Sequence, residues 1–270
     1  MAVTAKSSTV SSSTVAKSKT GGKSAPPRLS LAEVMSALEK AGTAQTRKTY
    51  ARHGAIGPMF GVSFADLKVL VKRIKVDQEL AHALWSTDNV DARNLAVKIA
   101  DPRLMSAKDL DHWALDMGRG CHAYVAHLAA EGPHGMSRAD AWLKSRSEAQ
   151  RRCGWMVAGA LAKLDPTVPT NWFATRIAAI ESTIHQAPNH EREAMNGALI
   201  SIGCRDAVTR KAALLVAKRI GPVSVDHGDT ACETPDAGAY IEKAWAYAAT
   251  KGFESPAAQE RSRESMRTRC

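Results

Sequence analysis

From Ser30 onward, apolar residues return at every third or fourth position. Phe64, Leu67, Val71 and Ile74 form one stripe, and Leu110, Trp113, Ala114 and Met117 a second. Cys121, Tyr124, Val125 and Leu128 make a third; Ala194, Met195, Ala198, Leu199 and Ile202 make a fourth. This is the period of a helix that buries one face, and nowhere does strict alternation run for the length of a strand. The pattern predicts an all-α chain of roughly a dozen short helices. Helix starts are marked as well. Ser30-Leu-Ala-Glu33, Ser63-Phe-Ala-Asp66, Ser106-Ala-Lys-Asp109, Ser137-Arg-Ala-Asp140 and Ser147-Glu-Ala-Gln150 have capping-box spacing. Thr234-Pro235 and Ser255-Pro256 set a capping residue before a proline suited to the first helical turn.

Three segments resemble one another: Asp91 to Ala100, Ala149 to Ala158, and Glu191 to Ile200. Each carries arginine in its first turn, then an apolar run, and each follows another amphipathic helix. Helix pairs recurring at about 40 residues predict a HEAT-like, ARM-type α-solenoid, in which neighbouring antiparallel pairs bury each other's apolar faces. In such an array Arg93, Arg151 or Arg152, and Arg192 line up near one rim of a concave, basic face. The same arginines also suit ordinary exposed positions near helix starts.

Charge adds a partner to this picture. The formal net charge is +10, and Lys6, Lys17, Lys19, Lys23 and Arg28 supply five of those charges within a stretch free of Asp and Glu. The remainder of the chain keeps about +5, and a basic surface favours an anionic partner such as nucleic acid. Residues 1–29 are rich in Ser, Thr, Lys and Gly, so they are expected to be a disordered tail, followed by a repeat domain over 30–252 and a short polar tail over 253–270. No apolar run is long enough to span a bilayer, and no secretory core stands at the N-terminus, which predicts an intracellular, cytoplasmic, monomeric protein, associated with the nucleoid in a bacterium. The cysteine count is odd, five, with no close pair, so neither a disulfide framework nor a zinc ribbon is expected.

The stretch Met59-Phe-Gly-Val62, with Leu67-Lys68, Arg73-Ile-Lys-Val-Asp77, Leu84-Trp85, Asp91-Ala-Arg93 and Ala100-Asp-Pro102, resembles the DNA alkylation repair family. Asp111-His-Trp113, Gln150-Arg-Arg-Cys-Gly154 and Asn196-Gly-Ala-Leu199 extend the resemblance from about Ser30 to Gly221. These are HEAT-repeat proteins whose best-known members are alkylpurine DNA glycosylases. The resemblance implies a curved solenoid holding double-stranded DNA by its backbone, with Arg93, Arg151, Arg152, Arg192, Tyr124 and His122 as candidate contacts. HEAT arrays also bind proteins, so a protein partner or an interaction scaffold is a second reading.

Active members of the family surround the lesion with two tryptophans and an aspartate, because excision builds positive charge that aromatic faces and a carboxylate stabilise. The corresponding positions here are Gly120, Tyr124 and Gly197. The chain is therefore expected to bind DNA without the usual base excision, with an active glycosylase using other residues as the alternative. No catalytic residue, metal or cofactor is assigned. Cys121 and His122 are neighbours about 100° apart on a helix and do not form a nucleophile pair. Asp226-His-Gly-Asp229, with Cys232 and Asp236, is the densest group of possible ligands, but Gly228 and Pro235 mark it as an irregular loop and Asp236 suits a helix start.

Overall fold

The computed structural model describes residues 1–2, 28–116 and 122–268, except for the side chains of residues 122 and 123. Within them lie fourteen α-helices and no strand. They are α1 (Leu31–Ala41), α2 (Ala44–Arg52), α3 (Phe64–Ile74), α4 (Gln78–Trp85), α5 (Val90–Ile99), α6 (Ala107–Leu115) and α7 (His122–Ala130). They continue with α8 (Gly135–Trp142), α9 (Glu148–Leu164), α10 (Thr170–Thr183), α11 (Asn189–Gly203), α12 (Ala207–Ile220), α13 (Ala237–Thr250) and α14 (Pro256–Arg261).

The expected caps are mostly in place. Ser30 and Ser106 close full capping boxes with Glu33 and Asp109, while Ser63, Ser147 and Ser255 accept from main-chain N–H groups in the first turn of α3, α9 and α14. Two positions differ. Ser137 lies inside α8, which begins at Gly135, and the cap of α13 is Asp236 rather than Thr234. Helix ends depend on the packing of the flanking chain as well as on spacing, so the pattern placed these two starts a few residues off.

The helices stack in two rows. α5, α7, α9, α11 and α13 pack in succession, and α6, α8, α10 and α12 run beside them. The three similar segments fall on α5, α9 and α11, all in the first row, with α7 between the first two. Every residue of α5 is buried, as is most of α9 and α11, since these helices have neighbours on both sides. The four stripes point into this core wherever they are described; Met117 and Cys121 lie outside the described residues.

The second row is tied by a repeated device. On α6, Asp111 accepts from Arg138 (2.7 Å) and from the indole N–H of Trp142 (2.7 Å), both on α8. One pair further on, Asp140 of α8 accepts from the indole N–H of Trp172 (3.1 Å) and from Arg176, both on α10. In each case the Trp and Arg are four residues apart, so one helical face presents both donors to one carboxylate. At the amino end, Trp85 and Trp113 stack with ring centroids 4.1 Å apart, a contact that contributes about 0.5–1.5 kcal/mol beyond its buried area.

Asp91 fixes the long connection before α3. Its carboxylate accepts from the main-chain N–H groups of Phe60 (2.6 Å), Gly61 (2.9 Å) and Val62 (2.8 Å). Gly61 has φ of +79°, and a Cβ there would sit 2.6 Å from both Arg47 and the Thr43 carbonyl, so only glycine fits.

The chain then turns back on itself. The segment expected as a short polar tail over 253–270 holds helix α14 against α9 and runs along the carboxyl ends of the first-row helices. The Ala257 N–H donates to the Cys204 carbonyl after α11 (3.1 Å), and Arg261 to the Lys163 carbonyl near the end of α9 (3.2 Å). Ser265 and Arg267 reach Glu131 just after α7, and Arg267 also reaches the end of α5. Arg28, counted with the tail by composition, is anchored too: its guanidinium holds Asp77 and, at 2.8 Å, Glu79. Both acids stand at the start of α4, so local composition could not reveal the partner.

Candidate nucleic-acid interface

A cleft of about 360 Å³ opens between α9 and α11. Small residues create it. α9 and α11 approach closely where the Cβ of a substituted Gly159 would lie 3.2 Å from Ser201. Beside that contact Gly197 faces outward, with nothing within 4 Å of where its Cβ would stand. Met156, Lys163 and Arg152 of α9 form one wall, and Pro235 and Met266 overhang it from the loop before α13 and from the returning segment.

The electrostatics are balanced rather than uniformly basic. Arg152 pairs with Glu193 at 3.5 Å; burial lowers its pKa from the ordinary value and Glu193 opposes that shift. Lys163 and Glu233 also line the cleft.

The other candidate contacts lie in different settings. Arg93 is only 5% exposed: it donates to the Trp85 carbonyl (3.1 Å) and pairs with Asp88 (2.9 Å) and Asp116 (3.1 Å). Arg151 binds Glu191 (2.8 Å) and the carbonyls of Ser145 and Arg146, so it ties α9 to α11. Arg192 donates to the carbonyls of Ser224 (2.8 Å) and Ala187 (2.9 Å). The structure thus brings Arg152 and Gly197 to one cleft but uses Arg93, Arg151 and Arg192 to hold neighbouring segments. Their spacing is shared because each stands in the first turns of a row-one helix, where its reach to the adjoining segment is the same.

Tyr124 is half-buried on α7, 5.8 Å from the Phe64 ring, and the Lys98 ammonium lies 4.0 Å from its ring centroid. Lys98 is itself 1% exposed. Gly120, Cys121 and the His122 side chain lie outside the described residues. The groups of the 226–236 loop serve its own turns. Asn189 brackets Asp226 through N–H and carbonyl, the Asp226 carboxylate accepts from Gly228 N–H (2.8 Å), His227 meets Thr234 (2.9 Å), and Asp236 caps α13. Among the described residues, no three His, Cys, Asp or Glu side chains converge on one point. Likewise, none of the described helices is long and apolar enough to cross a membrane.

One basic region escaped the motif reading. Residues 44–75 hold Arg47, Lys48, Arg52, Lys68, Lys72, Arg73 and Lys75 against a single acid, Asp66, and all but Lys68 of these cations are exposed. A running count of charge along the chain finds it; a search for repeated motifs does not, because α2 and α3 belong to no recognised repeat.

Comparison with known proteins gives this architecture its relatives. A model of the family described as DNA alkylation repair enzyme matches residues 34–231. Uncharacterized proteins of Listeria monocytogenes and Listeria innocua are 26% and 25% identical over 206 residues, covering 74% of this chain and 90% of theirs. A solved structure, 30% identical with a TM-score of 0.72, covers 83% of this chain and 95% of its own. It is described as representing a new family of proteins related to the HEAT-like repeat DNA glycosylases with affinity for branched DNA structures. With its two rows of stacked helices and a match spanning most of its length, this chain belongs to the DNA alkylation repair family.

Proposed function

We propose that the protein is an intracellular DNA-binding member of this family that grips the duplex by its backbone and lacks the usual base-excision chemistry. The observation that carries the reading is the run of cations over residues 44–75, seven against one acid with six of them exposed, in a HEAT-like array. Closely spaced, exposed Arg and Lys neutralise phosphates and release counterions, which gives affinity without sequence preference. Arg152 extends the binding surface toward the cleft, and Tyr124 and His122 on α7 are further candidates for it. Arg93, Arg151 and Arg192 support it indirectly, by keeping helix ends in place.

The environment of Tyr124 supports the absence of excision. A purine alkylated on a ring nitrogen is a cation, and a ring face already occupied by the Lys98 ammonium meets it with like charge. Affinity of the solved relative for branched DNA favours distorted or open duplexes over plain ones as the biological target.

The test is anisotropy of a labelled duplex across a salt series. Wild type should show a steep linear fall of log affinity with log salt. Exchange of Lys48 and Lys72 for Glu should flatten the slope by about 0.9 for each phosphate that is no longer neutralised. A slope identical to wild type overturns the reading.

A further inference from the structure

We propose that the outer face of α13 docks an acidic amphipathic helix of a partner protein. The inference goes beyond the DNA-binding reading and does not rest on it.

α13 closes the first row, and α11, α12 and α14 pack against it. Ile241 points toward α11, where it lies beside Gly203, and Glu242 faces α12 through its ion pair with Arg210. Yet eight of the fourteen residues of α13 are exposed, with Tyr240 at 51% and Tyr247 at 52%. Only Glu242 and Lys243 among the fourteen are charged, whereas α12 beside it carries Arg210, Lys211, Lys218 and Arg219. A helix so poor in charge is normally buried, and the last repeat of a solenoid normally turns a polar face outward. α13 does neither, so its outer side is suited to a cover.

The pattern on that side indicates what kind of cover. Ala239, Lys243, Ala246 and Thr250 are all exposed and follow at intervals of four, three and four. At about 100° per residue they fall in one stripe about 60° wide, on the side away from Ile241. This is the seam spacing of paired helices, and the two alanines let another backbone come close. Tyr240 and Tyr247 stand along one edge of the stripe, where their rings offer the aromatic area that anchors protein contacts.

Charge selects the partner. Lys243 in the seam and Lys251 beside the Tyr247 ring (5.7 Å) are exposed, and no carboxylate of the described residues pairs with either. The neighbouring acids are engaged: Glu242 holds Arg210, and Asp236 accepts from the Ala239 N–H in the first turn. A lysine in a helix seam favours a partner that sets a carboxylate opposite it. A second copy would instead bring another Lys243 and a further net charge of +10.

The experiment titrates the full chain into a fluorescein-labelled helical peptide of about sixteen residues, ~24 Å long, with leucine at seam spacing and glutamate on the flanks. A scramble of the same composition without an apolar face is the control, and oligothymidine is the nucleic-acid arm. Wild type should bind the peptide at least about tenfold more tightly than the scramble. Ala246→Arg should erase that difference while leaving the melting temperature and the salt dependence of duplex binding unchanged. Lys243→Glu should weaken the glutamate peptide about tenfold and turn the preference toward the same peptide with lysine in place of glutamate. Equal binding of peptide and scramble by wild type, or an undiminished preference in Ala246→Arg, overturns the proposal. Oligothymidine that binds more tightly than the peptide and is lost in Ala246→Arg overturns it in favour of a nucleic-acid platform. A dimer in sedimentation that Ala246→Arg dissolves overturns it in favour of self-association, and a loss of duplex affinity in that variant assigns the face to DNA instead.

Discussion

Lys98 and Arg267 hold each other by the main chain, although 169 positions separate them. The Lys98 ammonium donates to the Arg267 carbonyl at 2.8 Å, and the Arg267 guanidinium donates to the Lys98 carbonyl at 2.8 Å. The same guanidinium reaches the carbonyls of Val97 (2.8 Å) and Ala100 (3.2 Å) and, through Nε, Glu131 (3.1 Å). These carbonyls belong to the last turn of α5, which has no further N–H to accept from and carries the negative end of the helix dipole. A buried arginine there satisfies both needs. The returning segment lies beyond residue 231, where the family match ends.

Arg267→Ala should therefore destabilise the whole array, not merely fray its end. It leaves three carbonyls without the guanidinium, and Glu131 with Ser265 alone, in a site where Arg267 is 5% exposed, a cost of about 3 kcal/mol. Urea unfolding of the variant should show a clear fall in midpoint, with Arg263→Ala, an exposed neighbour, as the control. A midpoint within error of wild type would mean that the segment is not docked in solution.

Incubation of excess protein with methylated duplex should release no 3-methyladenine or 7-methylguanine above the spontaneous background. Removal of one charge-stabilising group typically reduces rate by about two to three orders of magnitude, and groups that act together fail together. Chromatography of the free base is the measurement. Release that vanished on Tyr124→Ala substitution would place an active centre in this region and refute the expectation.

Asp101 gives a defined acid response. Hydrogen bonds from the Arg103 side chain, then from its main-chain N–H, hold the Asp101 carboxyl down to about 2. Its folded pKa lies below the unfolded value of about 3.9, so its contribution is complete above about pH 4 and disappears as pH falls toward about 2. Arg103 is largely exposed, so water screens the pair and the contribution is small. Asp101→Asn should lower stability slightly near neutral pH, and the difference from wild type should shrink to nothing at about pH 2. Denaturant curves at several pH values measure it; a gap that widened on acidification would contradict the assignment.

Two helical glycines should answer oppositely to alanine. At Gly203 the new Cβ would stand 2.5 Å from Ile241 and 2.9 Å from Ala213, both buried, so α11 would be forced from α12 and α13. Gly203→Ala should lower the melting temperature by several degrees, equivalent to about 1–3 kcal/mol. Gly197→Ala meets open space and should stabilise by about 0.5–1 kcal/mol through helix propensity alone. Matching shifts in both variants would show that α11 does not pack as described.

Local order was readable in the linear chain because its causes are local. The period of Ala194, Met195, Ala198, Leu199 and Ile202 needs only the helical repeat, and the boxes at Ser30 and Ser106 close over three residues. Repetition of such units was enough to predict stacked pairs, and spaced identities between residues 30 and 221 were enough to suggest the family. The partners of charged side chains were not readable. Arg93, Arg151 and Arg192 share a position in their helices, but whether an arginine faces a phosphate or an aspartate depends on what the next helix brings within reach. Arg93 meets Asp88 and Asp116, while Arg28 meets Asp77 and Glu79. The polar composition of 253–268 likewise concealed that Arg267 fits carbonyls as far as 170 positions away. Sequence alone determined the helices and their stacking, because propensity and burial pattern act within a few turns. The cleft beside Gly197, the capped end of α5 and the cation against Tyr124 were decided only in three dimensions, where hydrogen bonds and ion pairs join residues that no local rule connects.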